Sequence, residues 1–512
     1  MRSGCGTGFG VAIVVFAALA GCGDDTLGSA ATDASADGGA PLDSTTQPPV
    51  QGEDDASLDD ESPGDASPGL EDAGASFESS DSNTSVVTAA DCANGSTSLS
   101  GTVYDPAGNL PLAGALVYIP GDPDAGLPPV VTGTQSCRDS CDPTLATFDA
   151  GSYVAATETN AVGAFMLDDV PVGPNTPVVF QLGKWRRRVT VKTQSCSDTK
   201  VPASLSRLPR NQSEGDIPQM ALVTGACDEL ACLLRHIGVD AAEFTGPTGG
   251  GRVHVYKGAG PGPDLADGGA GPAGDCSGAG CPLWSSTAAL EKYDLVLLGC
   301  ECGEHNETKP DMGPMHDWLD EGGRVLATHY QDTWFKNGPA DFQGVASWEA
   351  SEADGPTPGP FQIDTSFVDG NSLRNWLANL GALNADGTLP LPAADVSTSL
   401  SNVNAESARW IEDTGQLGSS STPNAKLFSF QTPVGGVPRS ADGGAPSSPY
   451  CGRAVFTDVH AGGGGVASSS PVPASCANSD TSAEEKALEY VLFDLLGPCY
   501  VSYPPDSPPP HP

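Results

Sequence analysis

The sequence predicts a multidomain chain: a disordered acidic linker, an all-β sandwich, and then an α/β doubly wound domain. Three observations carry that expectation. Charge is spread unevenly, since residues 24–91 hold 17 acidic residues and no Lys or Arg, in a chain of net charge −42. Short runs of alternating apolar and polar residues, bounded by Gly, Pro and Asn, begin near Cys92; that is the period of half-buried strands. From Ile217 onward, apolar runs alternate with amphipathic stretches, the pattern of a mostly parallel sheet covered by helices. Composition removes other classes. The 64 Gly and 45 Pro among 512 residues are too many for one compact core, yet too few to make the whole chain low-complexity. With 65 acidic against 23 basic residues, the chain lacks the basic footprint of a general nucleic-acid binder. No apolar run of membrane-spanning length follows the N-terminus, which argues against a multi-span membrane protein.

Arg2 and the short apolar stretch 9–19 read as the start and core of a signal peptide over residues 1–21, too short to span as a mature helix. Leu19-Ala20-Gly21-Cys22 resembles a bacterial lipobox. The resemblance implies cleavage before Cys22, acylation of its sulfur and anchoring in one leaflet of the membrane. The expected location is therefore the bacterial cell envelope, at the outer membrane or cell surface. An ordinary secretory signal with a chance cysteine is the alternative. Residues 22–91 are Ser-, Thr-, Pro-, Gly- and Ala-rich with few bulky apolar side chains. Such a segment buries too little surface to offset its ordering entropy. It reads as a self-repelling tether of about 45 Å or more, or else as an acidic calcium- or partner-binding tail. Residues 499–512 form a Pro-rich tail.

The sandwich is expected over residues 92–210. Leu99, Gly101 and Val103 alternate with polar residues, Tyr104 to Asn109 make a turn, and Ala115-Leu116-Val117-Tyr118-Ile119 is a buried strand ended by Pro120. Further strands follow at Gly163-Ala164-Phe165-Met166-Leu167 and Val178-Val179-Phe180-Gln181-Leu182. Leu99-Ser100-Gly101-Thr102-Val103, the run from Pro111 to Val117, Thr159-Asn160 with Gly163-Ala164-Phe165, and Val170-Pro171-Val172-Gly173 together resemble the carboxypeptidase regulatory-like (transthyretin-like) β-sandwich. That family is an accessory module, so the resemblance implies a fold and a binding role, without catalytic residues. Just beyond, Lys184, Arg186, Arg187, Arg188, Lys192, Lys200, Arg207 and Arg210 place 8 of the 23 basic residues within 27 positions. They read either as a charged edge strand that resists edge-to-edge pairing or as a dock for the acidic tether or a surface polyanion.

The α/β domain is expected over 217–498. Met220-Ala221-Leu222-Val223-Thr224, Val253-His254-Val255-Tyr256, Leu295-Val296-Leu297-Leu298 and Arg324-Val325-Leu326-Ala327-Thr328 read as buried strands. Helices are expected from Asp228 to His236, Asp311 to Asp320 and Ser482 to Leu496. Tyr293 to Leu298, Gly322 to His329, and Gly452 to His460 resemble a class I glutamine amidotransferase-like domain, closest to its trehalose-utilisation-type branch. The resemblance implies a flavodoxin-like sheet and is weak over 335–450. In catalytic members a nucleophilic cysteine occupies the sharp turn after the strand that here ends at His329, where a helix N-terminus favours thiolate. Here His329, Tyr330 and Gln331 stand there instead. His460 matches the position of the base, but Gly462 replaces its orienting glutamate. Thiol amidotransferase chemistry is therefore expected to be absent.

A different site at the same mouth stays open, because ligands of doubly wound sheets bind beyond the carboxyl ends of strands. His329 and His460 are its candidate catalytic residues; Glu301, His305, Asp332 and Asp458, with Glu304 nearby, are candidate ligand-binding residues. Imidazoles with carboxylates suit zinc or another divalent metal, although no compact ligand motif is present and no cofactor is required by the sequence. Thirteen cysteines remain after Cys5 and Cys22, and an exported chain should oxidise them. Expected pairs are Cys92 with Cys196, Cys137 with Cys141, Cys227 with Cys232, Cys276 with Cys281 and Cys476 with Cys499, with one thiol left over by parity. Cys300-Glu301-Cys302 is read either as a redox or metal element or as the source of a disulfide to Cys451. The expected function is a lipoprotein attached to the membrane by its anchor, acting as a non-catalytic binding or structural module. Its partner would be a carbohydrate, a polyanion or an envelope protein. The alternative is a cryptic hydrolase or metal-dependent enzyme using His329 and His460.

Overall fold

The computed structural model describes residues 92, 96–122, 126–133, 153–260, 262–266, 271–353, 357–415, 424–436, 450–462, 471–474, 476 and 481–497. The signal segment, the lipobox with Cys22, the tether, Cys137, Cys141, Cys499 and the Pro-rich tail lie outside the described residues.

The first portion holds β1 (Ser98–Thr102), β2 (Leu116–Pro120), β3 (Tyr153–Glu158), β4 (Ala164–Leu167), β5 (Thr176–Leu182), β6 (Trp185–Val191) and β7 (Asp198–Lys200). They make two sheets, β4-β1-β7 and β3-β2-β5-β6. Alternation does what strand geometry requires. Leu99, Phe165 and Leu167 from one sheet meet Val117, Val178 and Phe180 from the other in one core, and the rings of Phe165 and Phe180 lie 5.8 Å apart.

Three of the basic residues on or beside β6, Lys184, Arg186 and Arg187, turn inward to the rest of the chain, while Lys192, Lys200 and Arg210 are exposed. Lys184 Nζ lies 2.5 Å from Asp294 Oδ1, Arg186 pairs with Asp216 at 2.8 Å, and Arg187 donates to the carbonyls of Ser204 and Leu205. The second portion packs against the same strand, where Trp185 contacts Phe493 at 6.1 Å, and against the loop between β1 and β2, where Trp376 Nε1 donates to Pro111 O at 2.7 Å. One apolar cluster runs from Leu99 to Leu496 through both portions.

The second portion contains, in chain order, β8 (Met220–Thr224), α1 (Leu230–His236), β9 (Phe244–Thr245), β10 (Val253–Lys257), β11 (Gly274–Asp275), α2 (Thr287–Leu290), β12 (Leu295–Leu298), α3 (Gly313–Asp320), β13 (Arg324–Thr328), α4 (Thr333–Lys336), α5 (Ala340–Gln343), β14 (Ala346–Ala353), β15 (Phe361–Ile363), α6 (Val368–Asn379), β16 (Thr398–Val403), β17 (Ser407–Asp413), β18 (Asn424–Thr432), β19 (Gly452–Thr457) and α7 (Ala483–Leu495). The main sheet runs β11-β10-β8-β12-β13-β19-β18-β17-β15. Its first six strands are parallel, and β18, β17 and β15 extend it antiparallel. The central parallel strands β8, β12, β13 and β19 are buried along almost their whole length, as mainly apolar runs covered on both faces require. The antiparallel extension falls in the stretch where the sequence pattern is weakest. α7 starts at a capping box, with Ser482 Oγ accepting from Glu485 N and the Glu485 carboxylate accepting from Ser482 N, which satisfies two donors that a helix start leaves open. Among the described residues no helix is long and apolar enough to cross a membrane.

The disulfides depart from the expected local pairs. Cys92–Cys196 and Cys276–Cys281 are formed. The pairing of Cys227 with Cys232 is replaced: Cys227 bonds Cys302 and Cys232 bonds Cys476, which also removes the pairing of Cys476 with Cys499. The expected disulfide between Cys137 and Cys141 is not among the bonds formed by the described residues, since Cys137 and Cys141 both fall outside them. Cys451 is disulfide-bonded, but not to Cys302, which is taken by Cys227, nor to Cys300, whose thiol is free. Cys232 sits buried on α1, where its partner is Cys476, while Cys227 lies in the turn after β8 and reaches Cys302 beyond β12. The fold brings Cys476 to 5.0 Å (Cα to Cα) from Cys232, so the closure entropy of the 244-residue separation is met by folding itself and not by the disulfide.

Candidate functional site

Four parallel strands end side by side and deliver the site. The β12/β13 register pairs Leu298 with Ala327, so two residues further on Cys300 comes beside His329. The β13/β19 register pairs Thr328 with Thr457, which carries His460 to the same edge. β8 lies on the other side of β12, and the turn after it brings Asp228. That turn passes very close to β12: a Cβ on Gly225 would lie 2.0 Å from Cys300 O, so only glycine fits there.

Cys300, His329 and His460 each offer one donor atom, and these atoms all lie within 4.8 Å of one another, so the three form a group able to hold a metal ion. All three are buried, at 0%, 3% and 4% exposure. Cys300 Sγ is 3.6 Å from His329 Nδ1, and the two imidazoles meet edge to face with centroids 5.1 Å apart. His460 Nδ1 faces Asp395 O at 3.3 Å. Donation to that carbonyl sets the tautomer and leaves Nε2 with its lone pair; Nε2 is buried with no hydrogen-bond partner. His329 has φ +40°, a left-handed conformation that a non-glycine residue holds only when its surroundings enforce it. The sharp turn is thus present with histidine at its tip, while a cysteine reaches the same spot from the neighbouring strand.

Burial pushes the Cys300 thiol up to about 12, against the backbone N–H groups of Cys302 and Tyr330, which favour its thiolate. Asp228 is also buried and held above the usual carboxylate range, chiefly by desolvation; His460 and the Thr328 hydroxyl oppose that shift. Its Oδ1 accepts from Ala461 N at 2.9 Å, and its Oδ2 is buried without a hydrogen-bond partner. Because Cys300 is inaccessible, an alkylating reagent at about pH 8 should leave it unmodified in the native chain and modify it after unfolding. Peptide mass spectrometry reads this out, and ready modification of the native thiol would contradict the burial.

The remaining expected residues go elsewhere. Glu301 is fully buried in an ion pair with Lys309 at 2.7 Å. His305 faces Glu307 at 3.1 Å near the surface, and Glu304 pairs with Lys336 at 3.0 Å. Asp332 is buried, 3.7 Å from Lys336 Nζ. Asp458 accepts from Ser399 N and Oγ, with Lys426 Nζ 4.0 Å away. None of these belongs to the three-residue group. Sequence reasoning passed over Asp228, which looks like an ordinary helix start. It reached Cys300 only as one of two readings; the odd cysteine count was the usable signal. Matched against protein-family models and against curated proteins, the chain finds no counterpart in either.

Proposed function

We propose that this chain is an exported, envelope-anchored lipoprotein whose α/β portion is a non-catalytic binding module built around a divalent metal at Cys300, His329 and His460. The observation that carries the reading is the convergence of one thiol and two imidazoles, from three separate strand ends, within 4.8 Å in a buried pocket. Thiolate and imidazole together suit zinc-class metals. Closure favours binding over turnover, because catalytic metal sites keep a position open to substrate. The lipobox and acidic tether support export and anchoring. The sandwich would then be an accessory regulatory-like module, and the α/β portion a degenerate amidotransferase-like, doubly wound domain. Its partner on the outside would be a carbohydrate or an envelope protein.

Zinc titration of the chelator-stripped full chain tests the metal. Near-stoichiometric binding in the parent chain, lost in His460→Ala and in His329→Ala, is the expected result. Equal zinc in all three, or none, would overturn the reading. One observation favours a second reading, a metal-dependent hydrolase: the buried Oδ2 of Asp228 has no hydrogen-bond partner and its carboxyl interacts electrostatically with His460, which makes it the nearby candidate for a general base acting on metal-bound water. Zinc-dependent ester hydrolysis that Asp228→Asn abolishes would establish it in place of the non-catalytic one.

A further inference from the structure

Resting on the metal-binding reading above, we propose that the ion this centre is built for is copper, held by one thiolate and two imidazoles in a trigonal arrangement. The donor set decides first. A closed zinc site takes four protein ligands in a tetrahedron, and an open one takes three with a fourth position for water, whereas the group formed among the described residues is three donors within 4.8 Å of one another, all buried. A trigonal His/His/Cys set with at most a weak further ligand is the arrangement that suits copper, and at matched ligands copper also binds more tightly than zinc.

The surroundings of the sulfur point the same way. Cys300 Sγ lies 3.6 Å from His329 Nδ1, and the backbone amides of Cys302 and Tyr330 are close enough to favour its thiolate. Amide donors to a coordinating thiolate disperse its charge and adjust the potential of a copper–sulfur bond, a refinement that a redox-inert ion does not need. The segment carrying the sulfur is pinned just after it by the Cys227–Cys302 disulfide and the Glu301–Lys309 ion pair, and just before it by Gly299 N donating to Val223 O at 3.0 Å. His460 is oriented through Asp395 O, and His329 is fixed by its left-handed turn. A donor set held this firmly keeps one geometry across two oxidation states, so little reorganisation accompanies electron gain or loss.

The experiment uses the full chain, stripped of metal with a chelator, and one equivalent of copper sulfate. A strong visible sulfur-to-copper charge-transfer band and a Cu(II) electron-paramagnetic-resonance signal are expected. Cys300→Ser should abolish the band while circular dichroism shows a folded chain. His460→Gln should weaken copper binding by roughly 100-fold, and His305→Ala, an imidazole outside the group, should leave the band intact. An equal concentration of zinc should displace little of the copper. If zinc binds through the same three residues and displaces copper, or copper binds without the band, the copper assignment falls and the metal-binding reading survives. If neither metal binding responds to Cys300→Ser or His460→Gln, both fall.

Discussion

Replacing Lys309 with methionine is expected to destabilise the folded chain by about 3–5 kcal/mol, the cost of leaving one member of a fully buried ion pair without its partner. Lys309 and Glu301 have no side-chain exposure. Lys309 Nζ donates to Glu301 Oε2 at 2.7 Å, to Glu304 O at 3.0 Å and to the Thr308 hydroxyl at 3.3 Å. Glu301 Oε1 accepts from Ala259 N at 2.7 Å. The packing is tight enough that a Cβ on Gly258 would sit 2.4 Å from that oxygen. Methionine keeps the length of the side chain but not its charge, so the Glu301 carboxylate would stay buried with only the Ala259 amide. Urea denaturation measures the loss. The double variant Glu301→Leu/Lys309→Met should recover most of it, because an apolar pair of similar volume is often no worse than a buried ion pair. A Lys309→Met chain as stable as the parent would show that water reaches the pair. Glu301 lies between Cys300 and Cys302, so the single variant should also loosen the thiol and make Cys300 easier to alkylate.

Glu489 gives the second large effect, with opposite sign. It sits on α7 with no exposure, and neither carboxyl oxygen has a hydrogen-bond partner. Burial holds its pKa far above the ordinary carboxylate range; Asp105 and Glu485 add to the shift, and Lys486 opposes it. Asp105, on the first portion, is itself pushed up to about 7, mainly by burial, and Glu484 reaches about 7 for the same first reason. A carboxyl whose pKa is raised by folding keeps its proton in the native state while the unfolded chain releases it. Stability therefore falls as pH rises from the unfolded values near 4 through about 7. Carboxylates held low, such as Asp364 beside Arg409 and Asp198 beside Ser100 and Lys200, lose their contribution as pH drops below about 4. Maximum stability is thus expected in mildly acidic solution. Glu489→Leu should stabilise the chain by roughly 2–4 kcal/mol at about pH 8 and flatten much of the slope. Thermal denaturation across pH tests this. Salt separates it from general repulsion among the many acidic residues, since added salt screens surface charge but not a buried carboxyl. A Glu489→Leu chain that is less stable at alkaline pH would mean that the carboxylate has a partner worth more than its burial costs.

The readable part of this protein was its local physics. Apolar runs at 220–223, 295–298 and 325–327 place buried parallel strands, because a strand covered on both faces is apolar along its middle, with polar residues such as Thr224, Arg324 and Thr328 at its ends. The Ser482/Glu485 spacing places the start of α7, and the odd number of cysteines called for a free thiol. His329 and His460 were legible as strand-end residues on one edge. What the sequence could not reveal was adjacency across that edge. Cys300 is the free thiol because Cys227 takes Cys302 and Cys232 takes Cys476, choices made by the turn after β8 and the face of α1. Glu301 looked like a ligand and is an ion-pair partner, since the chain folds Lys309 back over it. Asp228 looked like a helix start and is a buried neighbour of His460. Sequence alone determined where the buried central strands of the parallel sheet run, but not the antiparallel strands between 346 and 432. Only the tertiary structure decided which ends share a pocket, because strand order and register are set by burial of the whole sheet and leave no mark in the spacing of residues along the chain.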